Sequence, residues 1–225
     1  MADIYLMRHG QTQLNVEHRF QGRADIPLNE KGLRQAAEAG RALRAAGIVP
    51  DRIYTSPLRR AMQTAEAAFG LPEEKLIRDD RLAEITFGWV DACPRDQIPD
   101  GFADTFFHHP DTYIPPENGE TYEDVLARAR SIVKDLRREQ SPGTIFVVSH
   151  AGISHAILNI LTQAPLLEFW TYKIENCGVL RLHLVPTERR RKNPGREDAG
   201  PQGSGYDWFE ETFHGFAKNS AEENR

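Results

Sequence analysis

Two short stretches carry residues able to do chemistry. The first is Leu6-Met7-Arg8-His9-Gly10-Gln11-Thr12, which overlaps and follows the apolar run Ile4-Tyr5-Leu6-Met7. The second is Ser149-His150-Ala151-Gly152, which follows Thr144-Ile145-Phe146-Val147-Val148. Each apolar run reads as a short buried strand. Each strand thus delivers a histidine with a glycine close behind it. Imidazole can act as a nucleophile or carry a proton, and a guanidinium such as Arg8 can grip an anion. Polar and flexible residues at the carboxyl end of a buried strand mark the usual ligand position in an α/β sheet. The rest of the chain is then the scaffold that brings His9 and His150 together.

That scaffold has 225 residues, enough for one α/β domain with a sizeable core. Its 40% hydrophobic and 27% charged content is ordinary for a globular protein. A net charge of -5 argues against a nucleic-acid binder, so an anionic substrate must meet a local basic pocket. No apolar run approaches the ~20 residues of a membrane span. The N-terminus lacks a signal-peptide pattern. Cys93 and Cys177 make no disulfide framework and read as inert small residues. These features predict a cytoplasmic protein with no nucleic-acid and no membrane partner.

The elements follow from periodicity and punctuation. Residues 8 to 28 read as an ordered loop. Asn29 is a helix N-cap, followed by Leu33, Ala36, Ala37, Gly40, Leu43 and Ala46 at helical spacing, with Gly47 and Pro50 as the stop. Residues 51 to 54 form a second strand. Ser56 then caps a helix with Pro57 at its first position, running to about Phe69. Residues 75 to 78 form a weaker strand. Residues 79 to 119 form a long irregular excursion, rich in Pro and aromatic residues, of the kind that serves as a functional lid or wall. Thr121 and Asp124 form a capping box for a helix buried along Val125, Ala129, Ile132, Val133 and Leu136. A helix from about Ile153 to Leu161 follows the second histidine strand. Leu180, Leu182 and Leu184 alternate with Arg181 and His183, the pattern of a half-exposed edge strand.

The longer pattern resembles the histidine phosphatase (phosphoglycerate-mutase-like) superfamily. Its blocks are Arg8-His9-Gly10-Gln11-Thr12, Asn15, Gln21-Gly22 and Pro27-Leu28-Asn29 with Gly32. Further blocks run from Ser56 to Ala65, from Arg81 to Glu84 with Phe87-Gly88, from Asn118 to Thr121 and from Val148 to Gly152. They cover residues 3 to 184 in the family's order. The resemblance implies a three-layer α/β/α fold with a mostly parallel central sheet. It also implies a histidine phosphatase domain over residues 1–186.

The resemblance assigns His9 as the nucleophile that becomes phosphohistidine, Glu84 as general acid, and His150 as the second pocket histidine, which also stabilises the phosphoryl group. Arg8, Asn15 and Arg60 are the phosphate ligands it implies, with Gln21, Gly22 and Ala151 at the substrate. Arg is suited to the task because its planar fork matches the phosphoryl oxygens, which Lys cannot do. Neighbouring arginine charge would favour the neutral imidazole that attack requires. Between Arg59 and Arg60, the Arg placed before Ala-x-x-Thr is Arg60, and Arg59 is left to solvent or the substrate's distal end. Phe87 and Trp89 are expected as an aromatic wall beside Glu84. The scheme needs no cofactor and no metal.

The reaction so implied is hydrolysis of a small phosphomonoester: broad-specificity, sugar-phosphate or α-ribazole-phosphate type. A cofactor-dependent phosphoglycerate mutase is the first alternative, and a catalytically silent phosphate-binding module the alternative of another class. The run Trp89-Val90-Asp91-Ala92 departs from the family pattern after Phe87-Gly88, which bears on substrate preference. His18, His108, His109, His155, His183 and His214 read as structural or surface residues. Residues 187–225 read as a flexible linker, including Arg189-Arg190-Arg191-Lys192, and an aromatic tail. Tyr206, Phe209, Phe213 and Phe216 fall at helical spacing there, a short helix that docks on its own domain or on a partner. The oligomeric state, a homodimer included, stays open.

Overall fold

The computed structural model describes residues 2–138, 143–186 and 206–218, the last segment and 183–186 as backbone. Six strands form one sheet in the order β3-β2-β4-β1-β5-β6. They are β1 (Ala2–Arg8), β2 (Arg52–Thr55), β3 (Ile77–Arg78), β4 (Gly143–Ser149), β5 (Tyr172–Pro186) and β6 (Tyr206–Lys218). β1, β4, β2 and β3 run parallel, and β5 and β6 join antiparallel. The principal helices are α2 (Glu30–Ala45), α3 (Arg59–Phe69), α5 (Tyr122–Arg138) and α6 (Ala151–Thr162). Two shorter ones are α1 (Gln13–Val16) and α4 (Phe102–His108).

Alternation along β1 and β4 assigns the two faces. Ile4, Leu6, Ile145 and Val147 pack in one core with Val125, Ala129 and Ile132 of α5 and Ile153 and Ile157 of α6. Tyr5, Met7, Phe146 and Val148 pack in the other with Ala36 and Leu43 of α2 and Ala61, Ala65 and Ala68 of α3. Parallel strands with helices on both faces give the expected three-layer α/β/α architecture. Asn29 caps α2 as predicted, its side chain accepting from Gly32 N–H at 2.8 Å. Thr121 and Asp124 exchange the two capping-box bonds at the start of α5. Among the described residues no helix is long and apolar enough to cross a membrane.

Three expectations change. Ser56 is not the cap of α3, which begins at Arg59 after Leu58. The loop of residues 8 to 28 holds the short helix α1, closed by a capping box between Thr12 and Asn15. β5 is not an edge, because residues 206–218 form a strand beside it and not a docked helix. Tyr, Trp, Phe and Thr favour strands, and the unpaired N–H and C=O groups of a sheet edge reward pairing more than a solitary helical turn does. The linker segment 187–205 lies outside the described residues.

The excursion is a wall built mainly of core. Phe106, 1% exposed, meets Phe20, Phe87, Tyr113, Tyr122 and Trp170 with ring centroids 4.9 to 6.0 Å apart. Such aromatic pairs contribute about 0.5–1.5 kcal/mol each beyond burial.

Candidate active site

Adjacency of the two histidines follows from strand register. Arg8 at the end of β1 pairs with Ser149 at the end of β4, so His9 and His150 leave neighbouring parallel strands together. The His9 N–H donates to the Ser149 carbonyl at 2.9 Å. The two imidazoles lie 5.1 Å apart.

His9 Nδ1 sits 2.7 Å from the Gly10 carbonyl. A carbonyl only accepts, so Nδ1 carries the ring proton and Nε2 keeps its lone pair. Burial, with Arg60 and Arg8 adding to it, holds the His9 pKa well below the ordinary imidazole value. The ring is therefore neutral, with its lone pair on Nε2. Its backbone is clamped from two sides. Asn176 Nδ2 donates to the His9 carbonyl at 3.0 Å, and the Gly10 N–H donates to Thr64 Oγ1 at 2.9 Å.

Arg60 is fully buried, whereas Arg59 is exposed. Arg60 Nη1 donates to the Ala24 carbonyl and Nη2 to the Gly22 carbonyl, both at 2.7 Å. Its Nε donates to His150 Nδ1 at 3.1 Å. Three of its five N–H groups are thereby used and two remain for a ligand. Burial lowers its pKa to about 10, so the guanidinium stays charged at neutral pH. Arg8 Nη1 donates to the Ile174 carbonyl at 2.5 Å, while its buried Nε finds no partner among the described residues.

His150 is also fully buried, at the N-cap of α6. Because Nδ1 accepts from Arg60, Nε2 must carry the proton, which it directs to Ser56 Oγ at 2.7 Å. Burial first, then the charge of Arg60, lowers its pKa well below the usual value. His150 is a neutral ring whose two nitrogens both have protein partners. Its bond to Nε helps to hold the Arg60 guanidinium in place.

Asn15 is loaded on its oxygen. Oδ1 accepts from the Thr12 N–H at 3.0 Å and from Asn176 Nδ2 at 3.3 Å. The Nδ2 group donates no hydrogen bond among the described residues.

Glu84 reaches the N-terminus of α6. Its Oε1 accepts from the Ile85 N–H at 3.0 Å and the Ile153 N–H at 3.2 Å, and Oε2 accepts from the Gly152 N–H at 3.2 Å. Gly152 is required there, since a Cβ would stand 2.6 Å from Oε1. The aromatic wall expected beside Glu84 is elsewhere. Trp89 is 53% exposed, and Phe87 packs on Phe20 and Phe106. Backbone amides of Ile85, Gly152 and Ile153 bind the carboxylate.

The three expected substrate residues serve the frame. Gln21 Oε1 accepts from Thr12 Oγ1 at 2.9 Å. Gly22 supplies a carbonyl to Arg60 at a left-handed φ of 50°, and the Asp91 carboxylate fills the place of its missing Cβ. The Ala151 carbonyl accepts from His155 Nδ1 at 2.7 Å. His155 Nε2 meets the Tyr172 carbonyl at 2.8 Å, and burial lowers its pKa to about 4. Burial here outweighs the two carbonyls, which favour the charged ring.

Several further residues position the site, and the sequence reading assigned a role there to none of them. Asp91 receives the Phe87 and Arg23 N–H groups and the Thr86 hydroxyl. Glu120 binds Arg128 through both oxygens at 2.8 and 2.9 Å, and Arg128 holds the Arg81 and Ala83 carbonyls. This pair fixes the strand of chain leading to Glu84. Asn176 stands in a β-bulge of β5, next to Cys177 at a φ of 58°. The polar break Glu175-Asn176 in that strand was the available sign. Burial pushes the Cys177 thiol up to about 12, so it stays neutral. Among the described residues no group of His, Cys, Asp and Glu side chains is placed to hold a metal ion.

Two histidines at neighbouring strand ends, the buried Arg60, the half-buried Arg8 and a carboxylate bound at a helix N-terminus thus meet at one end of an α/β sheet. Residues 4–193 match the model of the histidine phosphatase superfamily (branch 1), and the chain belongs to that superfamily. It is 26% identical over 193 residues to phosphoserine phosphatase 1 of Hydrogenobacter thermophilus, covering 85% of this chain and 89% of that protein. It is 31% identical to a protein of Cronobacter sakazakii named "Probable phosphoglycerate mutase GpmB", over 81% of this chain and 85% of that one. Among solved structures it is similar to a mycobacterial glucosyl-3-phosphoglycerate phosphatase in complex with VO3. That likeness has a TM-score of 0.74 and 26% identity, covering 95% of this chain and 99% of the other. The kinship supports an enzyme of the phosphatase type.

Proposed function

We propose that this protein hydrolyses small phosphomonoesters through a phosphohistidine on His9, without a metal. The observation that carries the reading is the neutral His9 ring. Its Nδ1 proton is tied to Gly10, and its Nε2 is free beside Arg8 and Arg60. Attack by Nε2 forms the N–P bond as the ester P–O bond breaks. The leaving oxygen takes a proton from Glu84, whose Oε2 accepts only one backbone bond and retains a lone pair for that proton. Glu84 then removes a proton from water as its oxygen attacks phosphorus and the N–P bond breaks, releasing orthophosphate and restoring the acid. Arg8, Arg60 and the Asn15 amide neutralise the phosphoryl oxygens throughout, where most of the rate enhancement in phosphoryl transfer arises. The unmet Arg8 Nε donor is satisfied by that anion.

A mutase shares these steps but returns the phosphoryl group to a second acceptor held in the site. Ile85, directly after Glu84, is 2% exposed and packed in the core, and Arg95 is the only Arg or Lys between residues 85 and 119. This favours release to water. The test is one purified sample with EDTA, assayed for free phosphate from a phosphomonoester panel. A parallel assay offers 3-phosphoglycerate with catalytic 2,3-bisphosphoglycerate and reads 2-phosphoglycerate. Phosphate release without isomerisation supports the proposal. Isomerisation with little phosphate, or activity restored only by metal, rejects it.

A further inference from the structure

We infer that Gln35 is a positioning residue for the nucleophile: from α2 it holds the peptide group whose carbonyl sets the orientation and tautomer of His9. This role rests on the reading of His9 as the nucleophile. The peptide group joining Gly10 to Gln11 has two polar ends, and both are used. Its carbonyl, on Gly10, accepts from His9 Nδ1 at 2.7 Å. Its N–H, on Gln11, donates to Gln35 Oε1 at 3.0 Å. His9, one peptide plane and Gln35 thus form a single file of donors and acceptors. In such a chain each bond polarises the next, so the Gln35 oxygen makes the Gly10 carbonyl a better acceptor. The charges of Arg60 and Arg8 disfavour proton uptake by the His9 ring, while the Gly10 carbonyl favours it. Gln35 strengthens the influence that leaves more electron density on Nε2.

The start of α2 is built against this peptide. The Asn29 N–H donates to the Gln11 carbonyl at 3.0 Å, and Asn29 Nδ2 donates to Gln11 Oε1 at 3.1 Å. A Cβ on Gly32 would stand 2.1 Å from the Gln11 carbonyl oxygen, and one on Gly10 would stand 2.6 Å from the Gly32 carbonyl oxygen. Backbone therefore packs on backbone. Gln35 stands three residues beyond Gly32, on the same face of the helix, which brings its side chain to the Gln11 N–H. Among the described residues Gln35 is the only acceptor of that N–H. Its own amide nitrogen donates no hydrogen bond among them, so the oxygen is the part of the side chain in use. Gln35 is half-buried, at the rim of the core and not within it.

The test uses the full chain as wild type, Gln35→Met and Gln35→Glu. Methionine fills the space without an acceptor, whereas glutamate keeps the oxygen and adds charge. The first readout needs no turnover. In ligand-free protein carrying isotope-labelled histidine, the His9 Nδ1–H magnetic resonance signal is identified by its absence from His9→Ala. It should move downfield in Gln35→Glu, as the bond to Gly10 strengthens, and upfield in Gln35→Met. The second readout is phosphoenzyme formation with an alkyl phosphate in a rapid quench. It should slow about tenfold in Gln35→Met, the scale of one hydrogen bond lost from the alignment of a nucleophile. In Gln35→Glu it should stay within about twofold of wild type, because the acceptor is kept. Opposite shifts of the His9 signal in a protein that releases no phosphate from any ester would keep the inference and reject the hydrolase reading. Three results would overturn the inference: a His9 signal unmoved in both variants, an unchanged rate in Gln35→Met, or a rate lost equally in Gln35→Met and Gln35→Glu.

Discussion

Arg60 Nε donates to His150 Nδ1 at 3.1 Å, across 90 residues of chain. This one bond determines the state of both partners. It makes His150 an acceptor at Nδ1 and therefore a donor at Nε2, and it leaves the ends of the Arg60 fork to Gly22 and Ala24. Replacing Arg60 with Lys keeps a charge but removes the fork. We expect kcat/KM to fall about 10²–10³-fold, the scale of losing a preorganised donor. Stability should fall by about 1–3 kcal/mol, because buried acceptors lose their partner. Steady-state kinetics and urea unfolding measure the two effects, and a variant normal in both contradicts the assignment.

His9→Ala should lower turnover by at least about a thousandfold, since no other group can take over the covalent step. Rapid acid-free quenching of wild-type enzyme with labelled substrate should trap an alkali-stable phosphoenzyme absent from the variant. Retained labelling in His9→Ala would move the nucleophile elsewhere.

Glu84→Gln separates proton donation from anion binding. A nitrophenol leaves without help, whereas an alkyl alcohol needs the proton. Formation of the phosphoenzyme should slow about 10²–10⁴-fold for alkyl phosphates and much less for p-nitrophenyl phosphate. The readout is burst kinetics with both esters, because the later water step also uses Glu84. Equal slowing of both bursts would argue against general acid catalysis.

Acid should destabilise the fold through its histidines. His9, His150 and His155 are neutral in the folded state, with pKa values lowered chiefly by burial. In the unfolded chain each takes a proton at about pH 6.5. Below that pH the unfolded state binds more protons, so stability falls as pH falls. The slope reaches about 1.4 kcal/mol per pH unit for each histidine. It ends for His155 near its folded value of about 4. Above about pH 7 these rings contribute no pH dependence. Unfolding free energies measured between pH 5 and 8 test this, and a flat profile from 6.5 to 5 would show that the rings are not buried neutral.

Asn176→Ala should act through Asn15. Its amide loads the Asn15 oxygen and supports the His9 carbonyl. We expect weaker inhibition by inorganic phosphate and a higher KM, with a smaller change in kcat and partial rescue by Gln. A loss in thermal stability with unchanged phosphate affinity would reduce Asn176 to a purely structural role.

The chemistry-bearing residues were legible because their signals are local. His9 and His150 each follow a buried strand within a few residues. Parallel register then placed them together without further information. Asn29 and the pair Thr121 and Asp124 were readable as caps for the same reason, since a cap bonds within its own turn. Ser56 obeyed the cap pattern and was misread. Its hydroxyl is engaged by His150, 94 residues away, and no local rule contains that partner.

By itself, then, the sequence determined the strand ends, the helix periods and the two-faced core, each of which depends on neighbours a few positions apart; the nucleophile, fork and carboxylate candidates came from its resemblance to a family. Only the tertiary structure decided which nitrogen of each histidine carries the proton, and that Glu84 rests on the start of α6 and not on an aromatic wall. It also decided that residues 206–218 pair as a strand, because an open edge at β5 was there to receive them. Hydrogen-bond partners and sheet edges are set by segments far apart in the chain. Their energies outweigh local propensities of a few tenths of a kcal/mol per residue, and those contacts exist only once the chain has folded.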